Sequence, residues 1–325
     1  MLAAISWSAH TAAARATSSS SACSLTYLEI NGWLITCGGV TVLVDPVLDG
    51  NLDFGIPSVY SAAKRVLPAQ GLLDTLPALD ALLITQGLDD HAHLRTLEKL
   101  AKSDPQLPVY APPSARATLE AVCFEDVTYL ASQSRRIELP YLGLNALPSI
   151  RLPAASKNLD TALIRPRDAP TAARVSGTGL SVRATSGALV GPPWQQRENG
   201  YVLRAGRRAD GVSLYIEPHV EFDKDELRDI APVDAVITPI SGQGLPGFEL
   251  VHGSDASIDL IKRLQARCVL PMRNGAVDAS GLSAPLICEI GRSDDRSFER
   301  ALRTAGSMAE VMNVRPGEPV TVHAV

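Results

Sequence analysis

The residues best equipped for chemistry stand together in Leu82-Leu83-Ile84-Thr85-Gln86-Gly87-Leu88-Asp89-Asp90-His91-Ala92-His93. An apolar run ends abruptly in a turn where Asp89, Asp90, His91 and His93 crowd carboxylates and imidazoles together. Such oxygens and ring nitrogens are donors for divalent cations, and they also move protons near neutral pH. A structural duty competes for the acids. Asp89-Asp90 precedes a helical pattern beginning near Leu94, where a carboxylate caps free N–H groups and complements the helix dipole.

For these side chains to meet a ligand, the corner must lie at the carboxyl end of a sheet. Leu82-Leu83-Ile84 reads as the buried strand, and residues 94–102 as the helix after it. Upstream, residues 25–30, 33–37 and 40–45 read as a meander. Its turns at Asn31-Gly32 and Gly38-Gly39 are expected to supply the positive φ of tight hairpins. Residues 51–79 are predicted loop and short helix, with Asp53-Phe54-Gly55-Ile56-Pro57 as a rim. Beyond the corner, strands at 107–111 and 127–130 flank a helix at 113–122, and the Pro-, Ala- and Leu-rich residues 140–174 read as loops at the edge of the fold. Strands at 180–185, 200–204, 211–216, 235–238 and 268–270 alternate with helices at 224–229 and 255–265. A helix near 295–313 is expected to end the chain. Strands alternating with helices imply an α/β layered fold.

The chain has 325 residues, 46% hydrophobic and 20% charged, which is ample for a large core. A formal net charge of −5 and a pI of about 5.7 speak against nucleic acid as a partner. No apolar run is long enough for a spanning helix. Five widely spaced cysteines without a Cys-x-x-Cys pair are expected to be free thiols in a reducing compartment. Residues 1–24, rich in Ala, Ser and Thr and free of acids, read as an organellar transit segment, chloroplast or mitochondrial, or as a disordered tail.

The block from Thr85 to His91 resembles the signature of the metallo-β-lactamase-fold hydrolases, in which a strand runs into Thr-His-x-His-x-Asp-His and the loop holds the metals. Asp90 and His91 match the final Asp-His pair, while Gln86 and Leu88 stand at the first two histidines. Asp45-Pro46 is similar to the family's Asp-Pro that supports this loop from behind. The resemblance implies a four-layer αββα sandwich over residues 25–325. It places Gly187 where the family has a histidine, Glu217-Pro218-His219 where it has Gly-Asp-Thr, Thr238-Pro-Ile-Ser241-Gly242 on a substrate loop, and Arg273 in place of the last histidine. A branch in cyanobacteria and plastids looks similar in both Thr85-Gln-Gly-Leu-Asp-Asp-His91 and Glu217-Pro-His219, which implies a chloroplast location in the stroma.

On these positions the ligands implied are Asp90 and His91 with Glu217 or His219, and His93 as a further recruit. That set suits one divalent ion, Zn²⁺, Mn²⁺ or Fe²⁺, in place of a metal pair. Two readings stay open. In one, the protein is a metal-dependent hydrolase of an ester or phosphodiester, with Asp90 and Arg273 catalytic. In the other, it is an inactive pseudoenzyme that binds a small anion or a protein partner. Arg273 and the backbone near Gly187 and Gly242 then hold the anion without metal, and Arg273 pairs with Asp90 or Glu217. Other candidates read as structural. His252 caps or precedes a surface helix, Trp33 and Trp194 pack, and Ser186 and Ser241 lack a nucleophile elbow.

Overall fold

The computed structural model describes residues 21–132, 169–175, 178–189, 197–206 and 211–324. The opening meander forms as β1 (Ala22–Tyr27), β2 (Trp33–Cys37) and β3 (Val40–Val44), paired antiparallel. Gly38 and Gly39 carry positive φ in the second turn, as expected. In the first turn the positive φ falls on Glu29 and Ile30 and not on Asn31-Gly32. Glu29 makes this possible, because its buried carboxylate accepts the backbone N–H groups of Arg65, Val66 and Leu67 at 2.8, 3.1 and 2.6 Å.

The chain continues through β4 (Ser61–Lys64), β5 (Ala81–Leu83), α1 (Leu94–Ser103), β6 (Val109–Ala111), α2 (Arg116–Val122) and β7 (Val127–Tyr129). Then follow β8 (Ala172–Arg174), β9 (Leu180–Ser186), β10 (Asn199–Ala205), β11 (Ser213–Ile216), α3 (Lys224–Arg228) and β12 (Ala235–Pro239). The last part holds β13 (Gly242–Leu245), β14 (Phe248–Val251), α4 (Ser254–Arg263), β15 (Cys268–Met272), β16 (Val277–Ser280), β17 (Cys288–Ile290), α5 (Asp295–Thr304), β18 (Glu310–Val311) and β19 (Pro319–His323).

Two seven-stranded sheets result, ordered β19-β1-β2-β3-β5-β6-β7 and β18-β15-β12-β11-β10-β9-β8. Leu25, Trp33, Ile35 and Val42 of the first pack against Val182, Tyr201, Leu214 and Ile237 of the second. Helices α1 and α2 cover the outer face of the first sheet through Leu97 and Leu119, and α3 to α5 cover the second through Leu227, Ile261 and Phe298. The expected αββα layering is thus observed, with smaller sheets β14-β13-β17 and β16-β4 at the margin. No helix among the described residues is long and apolar enough to cross a membrane.

Several expectations are corrected. The last helix stops at Thr304, before Gly306 with its φ of 80°, and the chain returns as β19 to pair with β1. Residues 172–174, expected as loop, are the edge strand β8, while residues 140–168 and Trp194 lie outside the described residues. Cys23 and Cys37 are not free thiols. The register of β1 against β2 sets them opposite each other, Cα atoms 4.4 Å apart, as a disulfide. Because β1 starts at Ala22, three residues of the expected transit segment belong to the sheet.

The Glu29 carboxylate satisfies three consecutive backbone amides, of which that of Leu67 is buried. Glu29→Ala is expected to cost about 2–4 kcal/mol, read as a lower midpoint in urea unfolding with an unchanged m value.

Candidate metal centre

Parallel pairing of β3 with β5 sets Asp45 beside Thr85 at the ends of the two strands. The fully buried Asp45 carboxylate accepts from the backbone N–H and the hydroxyl of Thr85. It also lies 2.8 Å from His91 Nδ1. A carboxylate only accepts here, so Nδ1 carries the proton and Nε2 is aimed the other way. On that side stand Asp90 Oδ2 at 3.2 Å and Asn31 Nδ2 at 3.1 Å. The ring of His219, from the corner after β11, lies with its centroid 5.0 Å from that of His91. Asp90, His91 and His219 can each offer a donor atom, all within 4.8 Å of one another.

Burial works to discharge His91, but the carboxylates of Asp90 and Asp45 outweigh it and lift its pKa to about 10. Burial, followed by the charge on His91, pushes His219 down to about 3, so that its ring is neutral and ready to donate a lone pair. Burial raises the Asp45 carboxyl despite His91, whereas His91 overcomes burial at Asp90 and holds it below the usual carboxylate range. A proton on His91 thus holds the positive charge that a bound cation would otherwise supply.

The surroundings fit a metal in a second respect. Asp90 Oδ1, Asn31 Oδ1 and both polar atoms of Gln86 are buried with no protein partner. Asn31, Gln86, Asp90 and His219 all line one cleft of about 1190 Å³. Buried polar atoms without partners cost roughly 1–3 kcal/mol each. Oxygens concentrated on one floor in this state are donors suited to a hard or borderline divalent ion.

The remaining expected residues divide sharply. Asp89, not Asp90, takes the capping duty, accepting from Leu94 N at 3.0 Å. Glu217 is outside the three-donor group. Its carboxylate turns inward to the backbone N–H groups of His219 and Glu221 at 3.2 and 2.9 Å, and burial still pushes its pKa up to about 8. His93 is also outside the group, with Nδ1 2.8 Å from Thr96 Oγ1. Arg273 lines the same cleft but does not pair with Asp90 or Glu217. Its guanidinium binds Asp295 and donates to Val314 O.

Gly187 comes so close to Asn199 and Gly200 that a Cβ would lie 2.8 Å from backbone, and its N–H is already spent on Glu198 O. Gly242 is caught between β14 and β17. The backbone anion site expected at these glycines is therefore closed by the ladder. His252 precedes α4, one of the two places expected of it, and the cap position itself is Gly253. The histidine lines the cleft, with its N–H donating to His219 O at 2.9 Å.

Asn31 and Glu198 are residues of the site that the sequence alone does not single out. Asn31 looked like ordinary turn chemistry, yet its Nδ2 reaches Asp90 and His91. Glu198 accepts from Ser114 Oγ at 2.5 Å, bolting β10 to the segment behind Gly87, where a Cβ would meet Ser114 O at 2.6 Å. Burial lifts its pKa to about 7 against Ser114 and His91.

A family model described as a beta-lactamase superfamily domain matches residues 24–273. None of the curated proteins matches the chain. Igni18, described as a novel metallo hydrolase from the archaeon Ignicoccus hospitalis, superposes with a TM-score of 0.54 at 17% identity, over 92% of this chain and 98% of that one. An isothiocyanate hydrolase from Delia radicum gut bacteria gives 0.55 at 13%, over 91% and 98%. CmlA, a diiron β-hydroxylase from Streptomyces venezuelae, gives 0.56 at 17%, over 93% of this chain and 54% of that one. At these identities the likeness is one of fold.

The raised pKa of Glu198 makes a pH prediction. Its folded value lies above the ordinary 4.5 of a glutamate, so its contribution to stability is complete below about pH 4.5 and is lost as pH rises through about 7. Glu198→Gln removes that loss. Urea unfolding should show the variant gaining on the natural protein between pH 5 and pH 8, by about 3 kcal/mol at most, and equal pH slopes for the two proteins would contradict the assignment.

Proposed function

The chain belongs to the beta-lactamase superfamily domain family, and from that membership we propose that it is a hydrolase of an ester or phosphodiester working with one divalent metal held by Asp90, His91 and His219. The observation that carries this reading is the convergence of those three donors, two from the corner after β5 and one from the corner after β11, with Asp90 and His219 on the cleft floor beside oxygens that have no protein partner.

A metal there, Zn²⁺, Mn²⁺ or Fe²⁺, would act as a Lewis acid and lower the pKa of bound water. The rest falls to the chain. Asp45 orients His91 and fixes its proton on Nδ1. Asn31 donates to the backbone and side-chain oxygens of Asp90 and holds that carboxylate in place beside His91. Arg273 stands on the wall of the same cleft, charge-balanced by Asp295, and keeps donors free to steady negative charge on a substrate.

Gln86 and Leu88, in place of two donors, support a second reading as an inactive module for a small anion or a protein partner. The acid-free composition of residues 1–24 supports a chloroplast destination. Because Cys23 is bonded within the sheet, we place any processing site before Ala22. Amino-terminal sequencing of the mature protein checks this, and a start beyond Cys23 refutes it.

Metal analysis after purification without chelator should find about one equivalent. Less than about a tenth of an equivalent ends the metal reading in favour of the module. His91→Ala and Asp90→Asn should abolish both metal and hydrolysis while circular dichroism stays unchanged. Asn31→Ala, which keeps all three donors, should weaken metal affinity about 10- to 100-fold, measured by competition with a chromogenic chelator.

A further inference from the structure

The cleft is much larger than its polar floor needs. Small-ligand sites run to roughly 300–1,000 Å³, and this one reaches about 1190 Å³. Its wall carries Phe54, Ile56, Val59, Leu88, Leu245 and Phe248. Each leaves between 38% and 57% of its surface to solvent. They come from three places in the chain: the loop before β4, the corner two residues from Asp90, and the tip of the β13–β14 hairpin, where Leu245 and Phe248 face each other as Cα partners.

The fold spends bonds on holding this apolar surface open. Asp53 accepts from Gly55 N at 2.9 Å and from Arg95 Nη1 at 2.8 Å, while Leu282 and Ser283 donate to Ser58 O and Val59 O. Exposed apolar side chains gathered along one concavity mark a binding site. Here they run into a floor of unpartnered polar atoms, so the occupant has to be polar at one end and hydrocarbon at the other. Around the cleft, carboxylates outnumber guanidinium groups, which favours a neutral head over a phosphodiester.

We propose that the substrate is an acyl ester whose ester group lies over Asp90 and His219 and whose hydrocarbon chain runs along Phe54, Leu88 and Phe248. The proposal deepens the hydrolase reading and rests on it. Hydrolysis breaks the acyl C–O bond, water giving its hydroxyl to the acyl carbon and its proton to the departing alcohol. The acyl chain stays on the apolar wall throughout and contributes affinity in proportion to the area it covers.

Methyl ketones of increasing chain length imitate such esters without being cleaved. Titration calorimetry of this series into the full-chain protein, with and without added zinc, should show affinity rising about threefold to fourfold per methylene until the wall ends. Phe248→Ser and Leu245→Ser, both at exposed positions, should flatten that rise and leave the shortest ketone and the metal content unchanged. Affinity independent of chain length, or no ketone binding, overturns the proposal, and if short esters are still hydrolysed the hydrolase reading survives it. A steep series in a protein that holds no metal and cleaves no ester overturns that reading and the substrate with it. A dimer in light scattering that either substitution dissociates, together with a flat series, assigns the wall to a second copy and also overturns the proposal.

Discussion

A buried carboxylate and a buried imidazole 2.8 Å apart, Asp45 and His91, are the contact around which the site is assembled. Burying such a pair is expensive, because desolvation of two charges competes with their attraction and an apolar pair of the same volume often does as well. What the pair contributes is direction. With Nδ1 held by Asp45 and the Thr85 hydroxyl packed at the same nitrogen, the imidazole cannot rotate away, and Nε2 stays aimed at Asp90. The parallel register of β3 and β5 is what places the two residues together, so the orientation of one ring depends on a whole sheet.

The two corners that flank this pair use one device. Glu29 and Ile30 take positive φ before Asn31, and Val220 takes it after His219. Each such residue costs of order 1–3 kcal/mol. In both places a buried glutamate, Glu29 or Glu217, offsets the strain by accepting backbone N–H groups of its own or a neighbouring loop. Acids that could pass for ligands therefore serve as loop anchors, and the side chains that they present, Asn31 and His219, reach the floor.

The floor and the wall of the cleft obey opposite rules. Partners are missing for oxygens at the bottom, and cover is missing for hydrocarbon along the side. Either defect alone would be a modest cost, and the two meet in one concavity, which is what the proposed amphipathic substrate rests on.

The local part of this could be read from the chain alone. The alternation of apolar residues, the Gly38-Gly39 turn and the Asp89-Asp90-His91 corner depend on neighbours in sequence, and they located the meander, the central strand and two of the three donors. The Asp45-Pro46 support and the αββα layers came with the resemblance of the same motifs. Which of Glu217 and His219 would face the cleft was undecidable, since residues two apart beyond a strand end are separated only by how the corner bends, here through Val220 and the amides that Glu217 collects. The disulfide of Cys23 with Cys37, the pairing of Arg273 with Asp295, the return of β19 to β1 and the arrival of Asn31 at Asp90 are contacts between residues 14, 22, about 300 and 59 apart. Register and layer packing decide contacts at such distances, and only the folded sheets hold that information.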